Sequence, residues 1–171
     1  YLTWGMGMKL HVHSSFRQGL ASKGLLVEQL MTAPTPFNSV LWMGLGTKGD
    51  SLYASVYSVL DKRPPTSFIS MPRNTHLLDG HRDDRAVDAL LLFTKGWYSV
   101  EEKDDMLIVS DYRFGRSDIW LGDSGEAMFQ WELIRDEEEK FSTFRQIIFF
   151  PENPLKDLTD MYGRATRDLK P

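Results

Sequence analysis

The sequence predicts an α+β domain: an antiparallel sheet of about five to six strands, with N-terminal, central and C-terminal helices packed on it. Three observations predict this. Near the start, Trp4, Met8, Val12 and Phe16 recur at helical spacing. From residue 39 to residue 135 the pattern changes to short runs rich in β-branched and aromatic residues. Those runs are joined by short polar turns, which suit hairpins, whereas a parallel pair needs a crossover of about a dozen residues or more.

Residues 1–30 read as helical, with Leu2, Met6, Leu10 and His13 near the apolar stripe. Gly5, Gly7, Gly19 and Gly24 weaken this helix, and Gly24 marks a break. Leu25, Leu26 and Leu30 then form a second short helix or turn. Pro34 and Pro36 end any helix, because proline lacks the N–H and restricts the residue before it. A sheet-forming core follows at 34–135, with strands at 39–45, 51–60, 67–71, 97–101, 106–112 and 126–135. Turn chemistry at 46–50 and 102–105 makes hairpins of their neighbours.

Asp83 or Asp84 caps a central helix that runs to about Thr94. Val87, Leu90, Leu91 and Phe93 are its apolar positions, and Gly96 takes the left-handed C-terminal cap. Residues 113–125 read as an irregular loop and 136–140 as a solvated acidic run. Asn153 caps a C-terminal helix at 153–169, with Pro154 in its first position. Leu155, Leu158, Met161 and Tyr162 share one side of it. The whole chain, 1–171, is read as one domain.

Composition narrows the function. The chain has 171 residues, 42% hydrophobic and 12% aromatic, which suits a packed core and excludes a disordered chain. Its formal charge is −4, with 20 basic and 24 acidic residues, so no basic surplus calls for nucleic acid. The absence of cysteine excludes disulfides, thiolate metal sites and a cysteine nucleophile. No apolar run approaches the ~20 residues that span a bilayer, and no secretory signal is visible. The start at Tyr1 reads as a domain cut from a longer protein.

Three segments stand out together: Pro34, Thr35, Pro36, Phe37 and Asn38 followed by Leu41 and Trp42; Phe93, Thr94, Lys95, Gly96, Trp97 and Tyr98; and Ser110, Asp111, Tyr112, Arg113, Phe114 and Gly115. In order and spacing they resemble the C-terminal region of the membrane-bound predicted metal-dependent hydrolases, over roughly residues 21–115. The resemblance implies a water-exposed domain that follows a bundle of membrane helices in a parent protein of the cell membrane. That membrane-embedded N-terminal region would be its partner, and 1–30 its membrane-proximal segment. Lys9, Arg17 and Lys23 outnumber Glu28 there, which favours the cytoplasmic side. The resemblance also makes a divalent metal a candidate cofactor. The family's metal motif of the His-Arg and Thr-His-Ser type has no counterpart here, so no catalytic residue carries over.

The residues themselves offer several sites. His76 and His81, with Asp79, Asp83 and Asp84, are the densest set of ligands suited to zinc or manganese, or else a solvated loop with a helix cap. Asp111 and Arg113 fall on one strand face with the inward Leu107 and Val109, as a structural ion pair or as a ligand site in which Arg113 takes a carboxylate or phosphate. Lys95 either complements a helix dipole or meets a substrate. Asn38 either holds a turn or binds a ligand. His11 and His13, ~200° apart on a helix, do not share an ion. Trp42, Trp97, Trp120 and Trp131 read as core. The Gly-Asp-Ser-Gly of 122–125, with Ser124, matches a serine-protease segment in letters only. Two readings follow: an accessory domain that binds a ligand or partner, or a domain that contributes residues to metal-dependent hydrolysis.

Overall fold

The computed structural model describes residues 2–35, 39–116, 127–148 and 154–167. Among them it is α+β, with three α-helices and two antiparallel sheets of four strands each. This corrects the expected single sheet of about five to six strands. The chain divides into two compact units, each built on one sheet.

In the first unit, α1 (Leu2–Ser22) precedes β1 (Gln29–Pro34), β2 (Leu41–Lys48), β3 (Ser51–Ser58) and β4 (Ile69–Pro72), which lie side by side in chain order. The helical spacing of α1 buries Val12, Phe16 and Leu20. Phe16 reaches β2 because Gly44 has no side chain; a Cβ there would collide with the Phe16 ring. Gly46 likewise leaves room for Val27, whose Cγ1 would lie 2.7 Å from an added Cβ. Both glycines belong to the strand, so the hairpin turn shrinks to Gly49 and Asp50, with Gly49 at φ 55°.

Strand β1 stands where Leu30 was expected to be helical. Its six residues pair fully with β2, from Gln29 opposite Thr47 to Pro34 opposite Trp42. Three leucines after a helix mimic a helical stripe, and so short an alternation does not reveal the strand. As the last residue of an edge strand, Pro34 is tolerated despite its missing N–H. The C-terminal α3 (Pro154–Ala165) returns to this sheet. Met161 and Ala165 pack on Leu41. Leu155, Leu158 and Tyr162 are exposed, so of the expected apolar side Met161 alone is buried.

The second unit opens with a 3-10 turn at Thr75–Leu78 and α2 (Arg85–Thr94). Then come β5 (Tyr98–Lys103), β6 (Met106–Arg116), β7 (Ala127–Arg135) and β8 (Phe141–Ile148), an antiparallel meander in chain order. Ala86, Val87 and Leu90 of α2 cover one sheet face, where Tyr98, Val100, Leu107, Val109, Trp131, Leu133 and Phe141 form the core. Lys95 closes α2 in the left-handed conformation and Gly96 follows it there, at φ 52° and 85°. Asp104 and Asp105, both left-handed, make the two-residue turn between β5 and β6.

Two differences matter for the site. Strand β6 runs on to Arg116, through residues expected to be loop. Strand β8 was not expected at all. It is an edge strand with most side chains exposed, so the alternation that marks a half-buried strand is faint. Asn153, Trp120 and the 122–125 segment with Ser124 lie outside the described residues.

Candidate functional site: a buried ion pair beneath an aromatic surface

The alternation of β6 places Leu107, Val109 and Asp111 on its inner face, and all three are buried. Asp111 lies between Tyr98 of β5 and Phe129 of β7 and is wholly inaccessible to water. A lone carboxylate there would be costly to desolvate. Arg113 answers it from the same strand. Its backbone N–H donates to Asp111 Oδ1 at 2.9 Å, and its Nε donates to Oδ1 at 3.1 Å and Oδ2 at 2.9 Å. Its Nη2 donates to Oδ2 at 2.6 Å. Both carboxylate oxygens are thereby committed.

The two residues share a face of β6 because they are two apart, and the pairing of β6 with β7 shifts register just beyond Asp111, before Arg116. The Arg113 guanidinium lies 4.6 Å from the centre of the Phe93 ring and 5.4 Å from that of Phe114. Phe93 meets Trp131 edge-on, Trp131 stacks with Phe129, and Phe129 touches Phe114. Phe93 and Phe114 are 50% and 49% exposed, so this chain of rings ends at the surface on both sides of the guanidinium. The remaining Nη1 of Arg113 has no partner among the described residues. Its two N–H groups can donate to an anion, with the rings gripping an apolar or flat body.

Lys95 is exposed at the end of α2 and shares no hydrogen bond or ion pair with Asp111 or Arg113. Asn38 lies outside the described residues. The proposed metal ligands are not gathered. His76, Asp79 and Asp83 are exposed, and Asp79 pairs with Arg82 at 3.4 Å. His81 Nδ1 lies 2.9 Å from Asp84 Oδ2, which also accepts the Phe141 N–H at 3.0 Å. That N–H chiefly, with His81 and Lys140 adding, holds the Asp84 carboxyl below the usual carboxylate range against some desolvation. Asp84 therefore stands at the N-cap position of α2 yet spends its side chain on β8. Among the described residues no group of three or more His, Asp or Glu side chains is placed to hold a metal ion. These residues do not fit the divalent metal that the resemblance implies.

On α1, His11 Nε2 lies 3.3 Å from the Tyr57 hydroxyl. Burial, then the charges of Arg17 and Lys9, lowers the pKa of His13. The two histidines face different surroundings, as helical spacing requires. No helix among the described residues is long and apolar enough to cross a membrane.

A second buried ion pair, which the sequence did not point to, lies in the first unit. Arg164 of α3 donates from Nη1 to Asp61 Oδ1 at 3.0 Å and from Nη2 to Oδ2 at 2.8 Å. Its Nη2 also reaches the Val56 carbonyl at 3.2 Å. Ser58 donates its hydroxyl to the Ala165 carbonyl at 2.6 Å, and its N–H to Asp61 Oδ2 at 3.0 Å. This cluster docks α3 on β3 and is read as structural.

No protein-family model, curated protein or solved structure matches the chain.

Proposed function

We propose that the chain is an accessory binding domain of a membrane-linked protein related to the predicted metal-dependent hydrolases, and that its ligand surface is centred on Arg113. The observation that carries this reading is the guanidinium held between the half-exposed rings of Phe93 and Phe114, with Nη1 left to donate. Asp111 is then a positioning residue, since both its oxygens hold Arg113. The ligand carries a carboxylate or phosphate on an apolar or flat body.

The membrane link is supported by the exposed Lys9, Arg17 and Lys23 on and after α1, beside the exposed Met6 and Leu10. Their sign favours the cytoplasmic side.

Titration with benzoate and phenyl phosphate, followed by tryptophan fluorescence, tests the site, because Trp131 touches Phe93 and Phe129. Saturable quenching that weakens at least tenfold in the folded Phe114→Ala variant is expected. No saturable change with either compound, or an unchanged affinity in that variant, would remove the site. Dialysis against zinc and manganese with elemental analysis is the companion measurement. Stoichiometric metal that is lost in His76→Ala would instead favour a domain contributing to hydrolysis.

A further inference from the structure

The two edges of the second sheet are treated differently. At β5, the Val100 N–H donates to the Arg73 carbonyl at 2.7 Å, and Asn74 Nδ2 donates to the Val100 carbonyl at 3.0 Å. The segment at Arg73 and Asn74 thus covers that edge. At the other edge, β8 pairs with β7 alone among the described strands. An edge strand turns the backbone groups of every second residue outward, where they can pair with another strand. The usual deterrents are scarce on β8. It has no proline and no lysine. Its one charge, Arg145, pairs with Glu132 of β7, with Nε 3.1 Å from Oε2, and stays exposed. Its bulge lies at the start, where Ser142 falls between the register partners of Ile134 and Arg135, so 143–148 is regular.

The apolar side chains of this stretch are also left over. Phe144 is opposite Leu133, Gln146 opposite Trp131 and Ile148 opposite Phe129, so all three lie on the face that α2 packs against. Yet Phe144 is 42% and Ile148 66% exposed.

We infer that β8 pairs with β8 of a second copy, antiparallel about a two-fold axis, joining two four-stranded sheets into one of eight. The register follows from geometry. Outward-facing groups recur at every second residue, so a two-fold axis must set some residue opposite itself. With Arg145 at the axis, like charges meet, which is unfavourable. With Phe144 at the axis, Ile148 stays uncovered. With Gln146 at the axis, Phe144 of each chain lies opposite Ile148 of the other, and the two exposed apolar groups cover one another. The Gln146 register is the one that uses both.

The chain has no cysteine, so one introduced thiol gives an unambiguous readout. Sedimentation equilibrium of the whole chain should give the mass of two copies at high micromolar concentration. Ile148→Lys, at an exposed position, should give one copy with an unchanged circular dichroism spectrum. Gln146→Cys should form a disulfide-linked dimer under mild oxidation, at least tenfold faster than Thr143→Cys. A single-copy mass at every concentration overturns the inference. So does a dimer that survives Ile148→Lys, or one in which Gln146→Cys crosslinks no faster than Thr143→Cys, because the interface then lies elsewhere.

Discussion

The two buried ion pairs unite the same two residue types by opposite routes. Asp111 and Arg113 are two residues apart on one strand, whereas Asp61 and Arg164 meet across 103 residues. The near pair satisfies a carboxylate that β6 itself drives into the core. It orders little chain in doing so, and it leaves the guanidinium turned toward aromatic rings and the surface. The distant pair fastens a helix from the end of the chain to β3, and its guanidinium is spent on Asp61 and the Val56 carbonyl. A pair closed locally can afterwards serve a ligand; a pair that bridges distant elements is occupied in holding them.

That contrast can be broken by removing one partner from each pair. The largest loss is expected for Arg113→Ala, which abandons a fully buried carboxylate. The cost is about 3–5 kcal/mol, measured by urea unfolding. Asp111→Asn should cost less, since an amide oxygen can still accept from Arg113, but it should weaken benzoate or phenyl phosphate binding by loosening the guanidinium. Equal losses of stability in both variants would mean that the charge of Asp111, and not the hydrogen bonds an amide can keep, carries this pair.

A loss of about 3 kcal/mol is expected for Arg164→Ala, the low end of the same range, because Asp61 sits nearer to water. The sharper test is where the loss falls. Hydrogen exchange should speed up along α3, while β5 to β7 keep their protection. Uniform acceleration through both sheets would contradict the view that this pair fastens one helix.

The two pairs were also unequally legible in the sequence. Alternation through Leu107, Val109 and Asp111 assigned the inner face of β6, and proximity supplied Arg113. Trp131 read as core, and it is buried in the core of the second sheet. No local pattern connects Asp61, at the end of a hairpin, with Arg164 on a helix whose apolar residues suggested a different buried side. Met161 and Ala165 face the sheet because Arg164 and the Ala165 carbonyl are held there, a tertiary demand that outweighs the stripe through Leu155, Leu158 and Tyr162. The edge strands β1 and β8 escaped for a related reason. A strand with one paired side and a half-exposed face carries a weak periodic signal, whereas β7 shows its alternation more clearly. Phe93 read as a core residue of α2, and its role beside Arg113 depends on where β6 brings that arginine.

Asp84 extends the comparison to a carboxylate nearer the surface, with the smallest expected effect. Its pKa is lowered mainly by the Phe141 N–H and secondarily by His81. A carboxyl held lower in the folded chain than in the unfolded one stabilises the fold above its ordinary value of ~3.9. That stabilisation disappears as pH falls through the lower folded value. Asp84→Asn keeps an oxygen that can accept from Phe141 but has no charge to lose. The variant should therefore be modestly less stable than the parent near neutral pH, with the gap narrowing below about 4 and closing once pH falls past the lowered folded value. Urea midpoints for both chains across that range decide the matter. Convergence assigns the contribution to the anion and its backbone donor. A gap that persists into strong acid would assign it to the shape of the helix start, making Asp84 a steric fixture between α2 and β8.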